Sequence, residues 1–198
     1  FMKSKSQLAP GKLAITFDDG PSPSTVEFLD LLKRENVKGN FFLIGKNIQG
    51  NEDIVKRIVE EGHVVGNHSF EHDYMFASRS KKKVVADMEK CSSEIERATG
   101  KKPRLFRPPF GVNTPTLSRA VDKLDVESIG WTIRTHDGVK NSTTTLEKNL
   151  FSKELSGSIV LFHYTNLQSL EVLEKLIAKC RDLGIEIVSL EDELECYA

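Results

Sequence analysis

Two carboxylates, Asp18 and Asp19, stand side by side where an apolar run over residues 13–17 stops, and Gly20 and Pro21 follow them. Adjacent acids repel unless a cation sits with them, so the pair calls for a metal ion, a basic partner, or both. Asp, Gly and Pro also favour turns, and a plain turn is the competing reading of these four residues alone. Further along lie the other groups that a hydrolytic metal site needs. His68 and His72 are four residues apart, a spacing that one helical turn or a tight loop can aim at a single point. With Asp19 they make two imidazoles and a carboxylate, a set that binds zinc and leaves room for water. The same set suits iron or other divalent ions, so the donors define a divalent metal before they define which one.

If Asp19 is a ligand, Asp18 is left to take a proton from an attacking water as general base. Arg107, always cationic, could hold Asp18 ionised and oriented, the bland alternative being a surface salt bridge. Pro108 and Pro109 carry no N–H, so the first backbone donor after Arg107 is Phe110, which could face the oxyanion of a tetrahedral intermediate. His163 closes the run Leu161-Phe162 and is a candidate general acid, with Asp137 to raise its pKa and orient its ring. Singly, each has an ordinary structural explanation, His163 as a core histidine above all. Together they describe a metal-assisted hydrolase of acyl bonds.

These residues are far apart in the chain, so the elements between them must bring them together. Apolar runs at 13–17, 41–44, 63–66, 105–106, 126–133, 158–162 and 185–188 read as buried strands. Apolar stripes at helical spacing fill the segments between, most plainly over 82–99, where Val84, Val85, Met88, Cys91, Ile95 and Ala98 recur before Gly100. Strands alternating with helices imply a parallel sheet with helices packed outside it, closing into a barrel. In such a barrel the chemistry gathers at the strand ends that lead into the following loops. Asp18 and Asp19, His68 and His72, Arg107, Asp137 and His163 each follow an apolar strand, whereas His63 begins one and reads as structural. Trp131 reads as core packing and the acidic run 191–195 as a solvated end.

Lys and Arg number 28 against 29 Asp and Glu, a formal net charge of -1 with no basic face, which argues against nucleic acid as a partner. No stretch approaches the roughly 20 apolar residues of a membrane span, and no obligate protein partner is signalled. Of the three cysteines, Cys180 and Cys196 could bridge, but spacing does not decide it. Residues 1–10 read as a polar leader, with Phe1 ahead of Met2 as a remnant, and residues 11–198 as a single catalytic domain. No signal-peptide core follows Met2; an export signal lost from upstream would place the protein in the cell envelope or outside the cell.

Four motifs in this order resemble the polysaccharide deacetylases of carbohydrate esterase family four: Thr-Phe-Asp-Asp-Gly at 16–20, His-Ser-x-x-His at 68–72, Arg-Pro-Pro-Phe-Gly at 107–111 and Leu-Phe-His at 161–163. The resemblance runs from residue 13 to about residue 188. It implies a distorted, TIM-like (β/α) barrel with fewer than eight regular strands. It implies Asp18 as base, Asp19, His68 and His72 around zinc (or cobalt, nickel or iron(II)), Arg107 orienting the base, Phe110 N–H in the oxyanion hole and His163 as acid. The reaction implied is removal of acetyl from N-acetylglucosamine units of chitin-like or peptidoglycan polymers, less often from O-acetylated xylan. One motif departs from the family, where Asp is often followed by Trp: here Asp137 is followed by Gly138. That leaves one wall of the implied acetyl pocket unassigned, with Leu161 as the apolar candidate, and it bears on substrate preference more than on activity. An O-acetyl esterase and an inactive carbohydrate-binding barrel are the two rival readings.

Overall fold

The computed structural model describes residues 7–139, 141–163 and 167–195. Cys196, and with it the Cys180 to Cys196 pairing, lies outside the described residues, as do the first six residues of the leader. In chain order the elements are β1 (Lys12–Gly20), α1 (Thr25–Glu35), β2 (Asn40–Leu43), α2 (Glu52–Glu60), β3 (Val64–Asn67), α3 (Lys81–Thr99), β4 (Leu105–Phe106), α4 (Pro115–Leu124), β5 (Glu127–Ser128), β6 (Ile133–Arg134), α5 (Thr143–Phe151), β7 (Ser158–His163), α6 (Leu167–Asp182), β8 (Glu186–Ile187) and α7 (Leu190–Glu195). Helix ends follow local chemistry. Thr114 caps α4 by accepting from Leu117 N–H, Pro115 opens it, and Gly100 ends α3 in the left-handed region at φ 75°.

Seven parallel strands pair in the order β5-β4-β3-β2-β1-β7-β6, and the short β8 pairs with the start of β1. The sheet curls into a half-barrel, as the sequence implied, but the two edge strands β5 and β6 do not pair with each other. The expected strand over 126–133 is instead two short pieces. The chain passes from one edge of the sheet to the other between Ser128 and Ile133, a span of at most about 18 Å for an extended chain, so the edges face each other across a narrow seam.

Strand periodicity sorts the core into layers. Leu13, Ile15 and Phe17 of β1, Phe41 and Leu43 of β2, and Val160 and Phe162 of β7 pack outward against Phe28, Leu29 and Leu32 of α1 and Val172, Leu173 and Leu176 of α6. Ala14, Phe42, Val64, Leu105, Ile129 and Ile159 form the inner cluster, joined by Leu190 from the start of α7. A third cluster joins α3 and α4 through Met88, Leu117 and Val121 to Phe106. The acidic end is therefore not a solvated tail: α7 closes the barrel floor, Leu190 N–H donates to Asn40 Oδ1, and Glu193 is buried against Lys12. A run of acids is usually solvated, but here Leu190 anchors one face of the helix and a lysine answers the buried carboxylate. No helix among the described residues is long and apolar enough to cross a membrane.

Candidate active site

The inward parity of each strand continues into the residue at its carboxyl end. On β1, Ala14 and Thr16 face in, and Asp18 follows them; on β7, Ile159 and Leu161 face in, and His163 follows. Asp18 and His163 are register partners on neighbouring strands. Val64 and Gly66 face in on β3, a Cβ on Gly66 meeting the Phe42 ring at 2.6 Å, so His68 faces in after them. Arg107 likewise follows Leu105. Asp19 would point outward had β1 continued unchanged. Its φ of 73° and the register shift between Phe17 and Gly20 turn it back into the mouth.

Asp19 Oδ1 lies 3.5 Å from His68 Nε2 and 3.3 Å from His72 Nε2, and the three ligand atoms all sit within 4.8 Å of one another. That oxygen is buried and has no hydrogen-bond partner, a costly state for a carboxylate oxygen unless a cation meets it. His68 Nδ1 is 2.8 Å from the Arg107 carbonyl, to which it donates, leaving Nε2 with a lone pair toward Asp19. Burial, and then the neighbouring His68, hold the His72 pKa below the usual histidine range, which favours the neutral, ligating form. The loop carrying His72 is irregular: Ser69 and His72 both have positive φ, at 69° and 51°. Asp87 of α3 accepts from the N–H groups of Phe70 and Glu71 and holds the loop down. The donor set and its orphaned oxygen fit a divalent metal, which Asp19, His68 and His72 would hold.

Arg107 is fully buried, not at the surface. Its guanidinium donates to Asp18 Oδ1 and Thr16 Oγ1, each at 2.8 Å, and to the carbonyls of Ile129 and Gly130 at 3.2 and 2.8 Å. It lies 4.2 Å over the Phe42 ring. Burial lowers its pKa and Asp18 opposes that, but a guanidinium remains charged. The other oxygen of Asp18, Oδ2, is 3.7 Å from His68 Nε2.

Asp137, fully buried, accepts from His163 N–H at 2.8 Å, from His163 Nδ1 at 3.0 Å, from Thr135 Oγ1 at 2.7 Å and from Ser169 Oγ of α6 at 2.9 Å. With Nδ1 bonded to Asp137, His163 Nε2 is the nitrogen free to serve the cleft. Burial works against charge on His163, but the hydrogen bond and charge of Asp137, joined by Asp18 and Asp19, outweigh it and raise its pKa. Phe110 sits in the left-handed region at φ 58°. Gly111 N–H is bonded to Pro108 O and both prolines lack the group, so Phe110 N–H is the remaining donor of that turn.

Asp18, Asp19, His68, His72, Phe110 and His163 line a cleft of about 480 Å³ at the carboxyl end of the sheet, with Leu161 in its wall and Arg107 and Asp137 buried behind it. Four lining groups were not assigned to the site by sequence. Trp131 packs on the inner cluster as expected but also faces the cleft, its ring so close to Gly111 that a Cβ there would lie 2.4 Å from it. Tyr74 is 88% exposed and stacks on Phe110 at 4.7 Å and 10°, and Phe110 in turn meets the His72 ring at 4.7 Å. Arg134 and Val139 complete the wall. Alternation along β6 carries the signal for Arg134, whereas nothing in the sequence marks Tyr74. His63 is buried at the far end of β3, accepts from Gly39 N–H and has its pKa pushed down to about 4 by burial, in keeping with a structural part.

A curled parallel sheet carries at its loop end a two-histidine, one-carboxylate group of the kind that can hold a divalent metal. The polysaccharide deacetylase family model matches residues 5–129, and the chain belongs to that family. It is 34% identical over 184 residues to a peptidoglycan-N-acetylglucosamine deacetylase of Bacillus cereus, covering 90% of this chain and 66% of that protein's length. Among solved structures, the Bc1960 peptidoglycan N-acetylglucosamine deacetylase superposes with a TM-score of 0.89 at 30% identity, covering 96% of this chain and 92% of that one. BA3943 of Bacillus anthracis, a pseudoenzyme of carbohydrate esterase family four, superposes with a TM-score of 0.88 at 29% identity, over 96% of this chain and 68% of that one.

Proposed function

We propose that this chain is a metal-dependent N-deacetylase of glycans containing N-acetylglucosamine, such as chitin-like polymers or peptidoglycan. The observation that carries the reading is the pairing of Asp18 with Arg107 and of His163 with Asp137 on adjacent strands, beside the Asp19, His68 and His72 group. A divalent ion held by that group would supply Lewis-acid polarisation of the acetyl carbonyl and acidify water. Asp18, aimed by its bond from Arg107, takes the proton as water adds to the carbonyl carbon. Phe110 N–H donates to the oxyanion. His163, protonated and oriented by Asp137, gives its proton to the leaving nitrogen as the C–N bond breaks, so acetate and a free amino sugar result. Leu161 and Trp131 offer apolar surface for the acetyl methyl, and the exposed Tyr74 and Phe110 rings offer a flat face for the C–H side of a sugar.

Metal-stripped protein with and without zinc or cobalt, assayed for acetate from chitin oligomers, peptidoglycan and acetylxylan, tests the reading. Metal-dependent release from an amino sugar supports it. Release from acetylxylan alone assigns an O-acetyl esterase. With metal bound and no release from any substrate, the reading fails in favour of a catalytically inactive barrel; one relative is a pseudoenzyme.

A further inference from the structure

Arg134 ends β6, and the alternation that sends Ile133 outward into the helix-facing core turns Arg134 toward the cleft, opposite Leu161 in register. The acids in and behind the cleft are already committed: Asp18 to Arg107 at 2.8 Å, Asp137 to His163 at 3.0 Å, and Asp19 to the candidate metal group with His68 and His72. Among the described residues the Arg134 guanidinium has no hydrogen bond or ion pair, and it is exposed. It therefore gives the fold no polar contact among the described residues, yet it stands in the cleft wall beside Leu161 and His163. Its planar fork of N–H donors matches a carboxylate with two parallel bonds. A second feature points the same way. Gly138 lines the same cleft, and a Cβ there would already touch the His163 ring at 3.4 Å. The lack of a side chain at that position leaves the space over His163 open to a bulkier substituent than a sugar hydroxyl.

We propose that Arg134 is a specificity-determining residue that recognises a carboxylate carried by the acetylated glycan, so that the preferred substrate is an acidic N-acetylated saccharide, not a neutral one. This rests on the deacetylase reading above. The carboxylate can sit on the reacting sugar, as a lactyl ether, or on a neighbouring uronic acid.

The test uses metal-loaded protein and four substrates: a peptidoglycan-derived tetrasaccharide with free lactyl carboxylates, its methyl ester, chitotetraose, and an N-acetylated oligosaccharide alternating with uronic acid. The wild type is expected to favour a carboxylated substrate over its neutral counterpart by about tenfold or more in kcat/KM, borne mainly by KM, as a charged hydrogen-bond partner would give. R134Q brings that ratio close to one and R134K keeps an intermediate ratio, while both variants melt with the wild type because the side chain is exposed. Mass-spectrometric location of the lost acetyl, and which acidic substrate is favoured, tell the lactyl from the uronic source. Equal rates on acid and ester by the wild type, or an unchanged ratio in R134Q, overturn the proposal. If chitotetraose is deacetylated with no such preference, only this inference falls; if no substrate is turned over, the deacetylase reading falls with it.

Discussion

Asp18 and Asp19 are neighbours in the chain with opposite surroundings: Asp18 Oδ1 is held by a buried guanidinium at 2.8 Å, while Asp19 Oδ1 has only two imidazole nitrogens near it. The difference separates their duties in a way that can be measured. Asp18→Asn is expected to lower kcat by about 10²–10⁴-fold, the usual worth of a general base, with metal content unchanged by elemental analysis; substantial residual turnover would remove Asp18 from the role. His72→Ala is expected to lower metal occupancy, since it deletes one of three donors, and unchanged metal content would sink the ligand assignment. In the proposed mechanism Asp137 tunes the acid, His163. Its hydrogen bond and charge raise the His163 pKa against burial, so the protonated acid persists to higher pH than an ordinary histidine allows. Asp137→Asn removes that support, and the alkaline limb of the kcat profile should move to lower pH; a limb that stays put or moves up would contradict the assignment.

Two elements hold these residues in place, and both combine legible and illegible features. At the seam between β5 and β6 the strands do not pair, and Arg107 bonds the carbonyls of Ile129 and Gly130 there. Arg107 is thus a structural clasp as well as a partner of Asp18. Arg107→Ala leaves a buried carboxylate unpaired and two carbonyls without donors, a loss expected at about 3–5 kcal/mol and read from the denaturant midpoint; a change under about 1 kcal/mol would show the clasp to be unimportant. In the sequence, Arg107 was readable as a cation after a strand. Its part in the seam was not, because the break at Gly130 only makes sense once both sheet edges are in view. The loop holding His72 shows the same division. The four-residue spacing of His68 and His72 was readable; the hold of Asp87 on Phe70 and Glu71 N–H, from a helix, was not. Asp87→Ala should weaken metal binding while leaving Asp19 and both histidines in place, and undiminished affinity in a metal titration would show the loop to be held by other contacts.

At the scale of the molecule, strand parity did most of what the sequence could do. Alternation at 14, 16 and 18 on β1 and at 159, 161 and 163 on β7 sends Asp18 and His163 to the same interior, so two residues 145 positions apart become register partners. What parity could not convey was departure from regular backbone: Asp19 reaches the mouth through a positive φ, and Phe110 presents its N–H through another. Nor could composition reveal that the acidic C-terminal run folds as α7 beneath the barrel, with Glu193 against Lys12. The outcome is a half-barrel whose cleft gathers Asp18, Asp19, His68, His72 and His163 at one end and whose exposed aromatic pair lies at its rim. The most direct test of metal-dependent deacetylation is titration of zinc into stripped protein with acetate release from an N-acetylglucosamine oligomer followed at each step. Release should rise from background and level off at one ion per chain. Release that is already maximal without metal, or that stays at background with the ion bound in the wild type and with acetylated peptidoglycan alike, would contradict it.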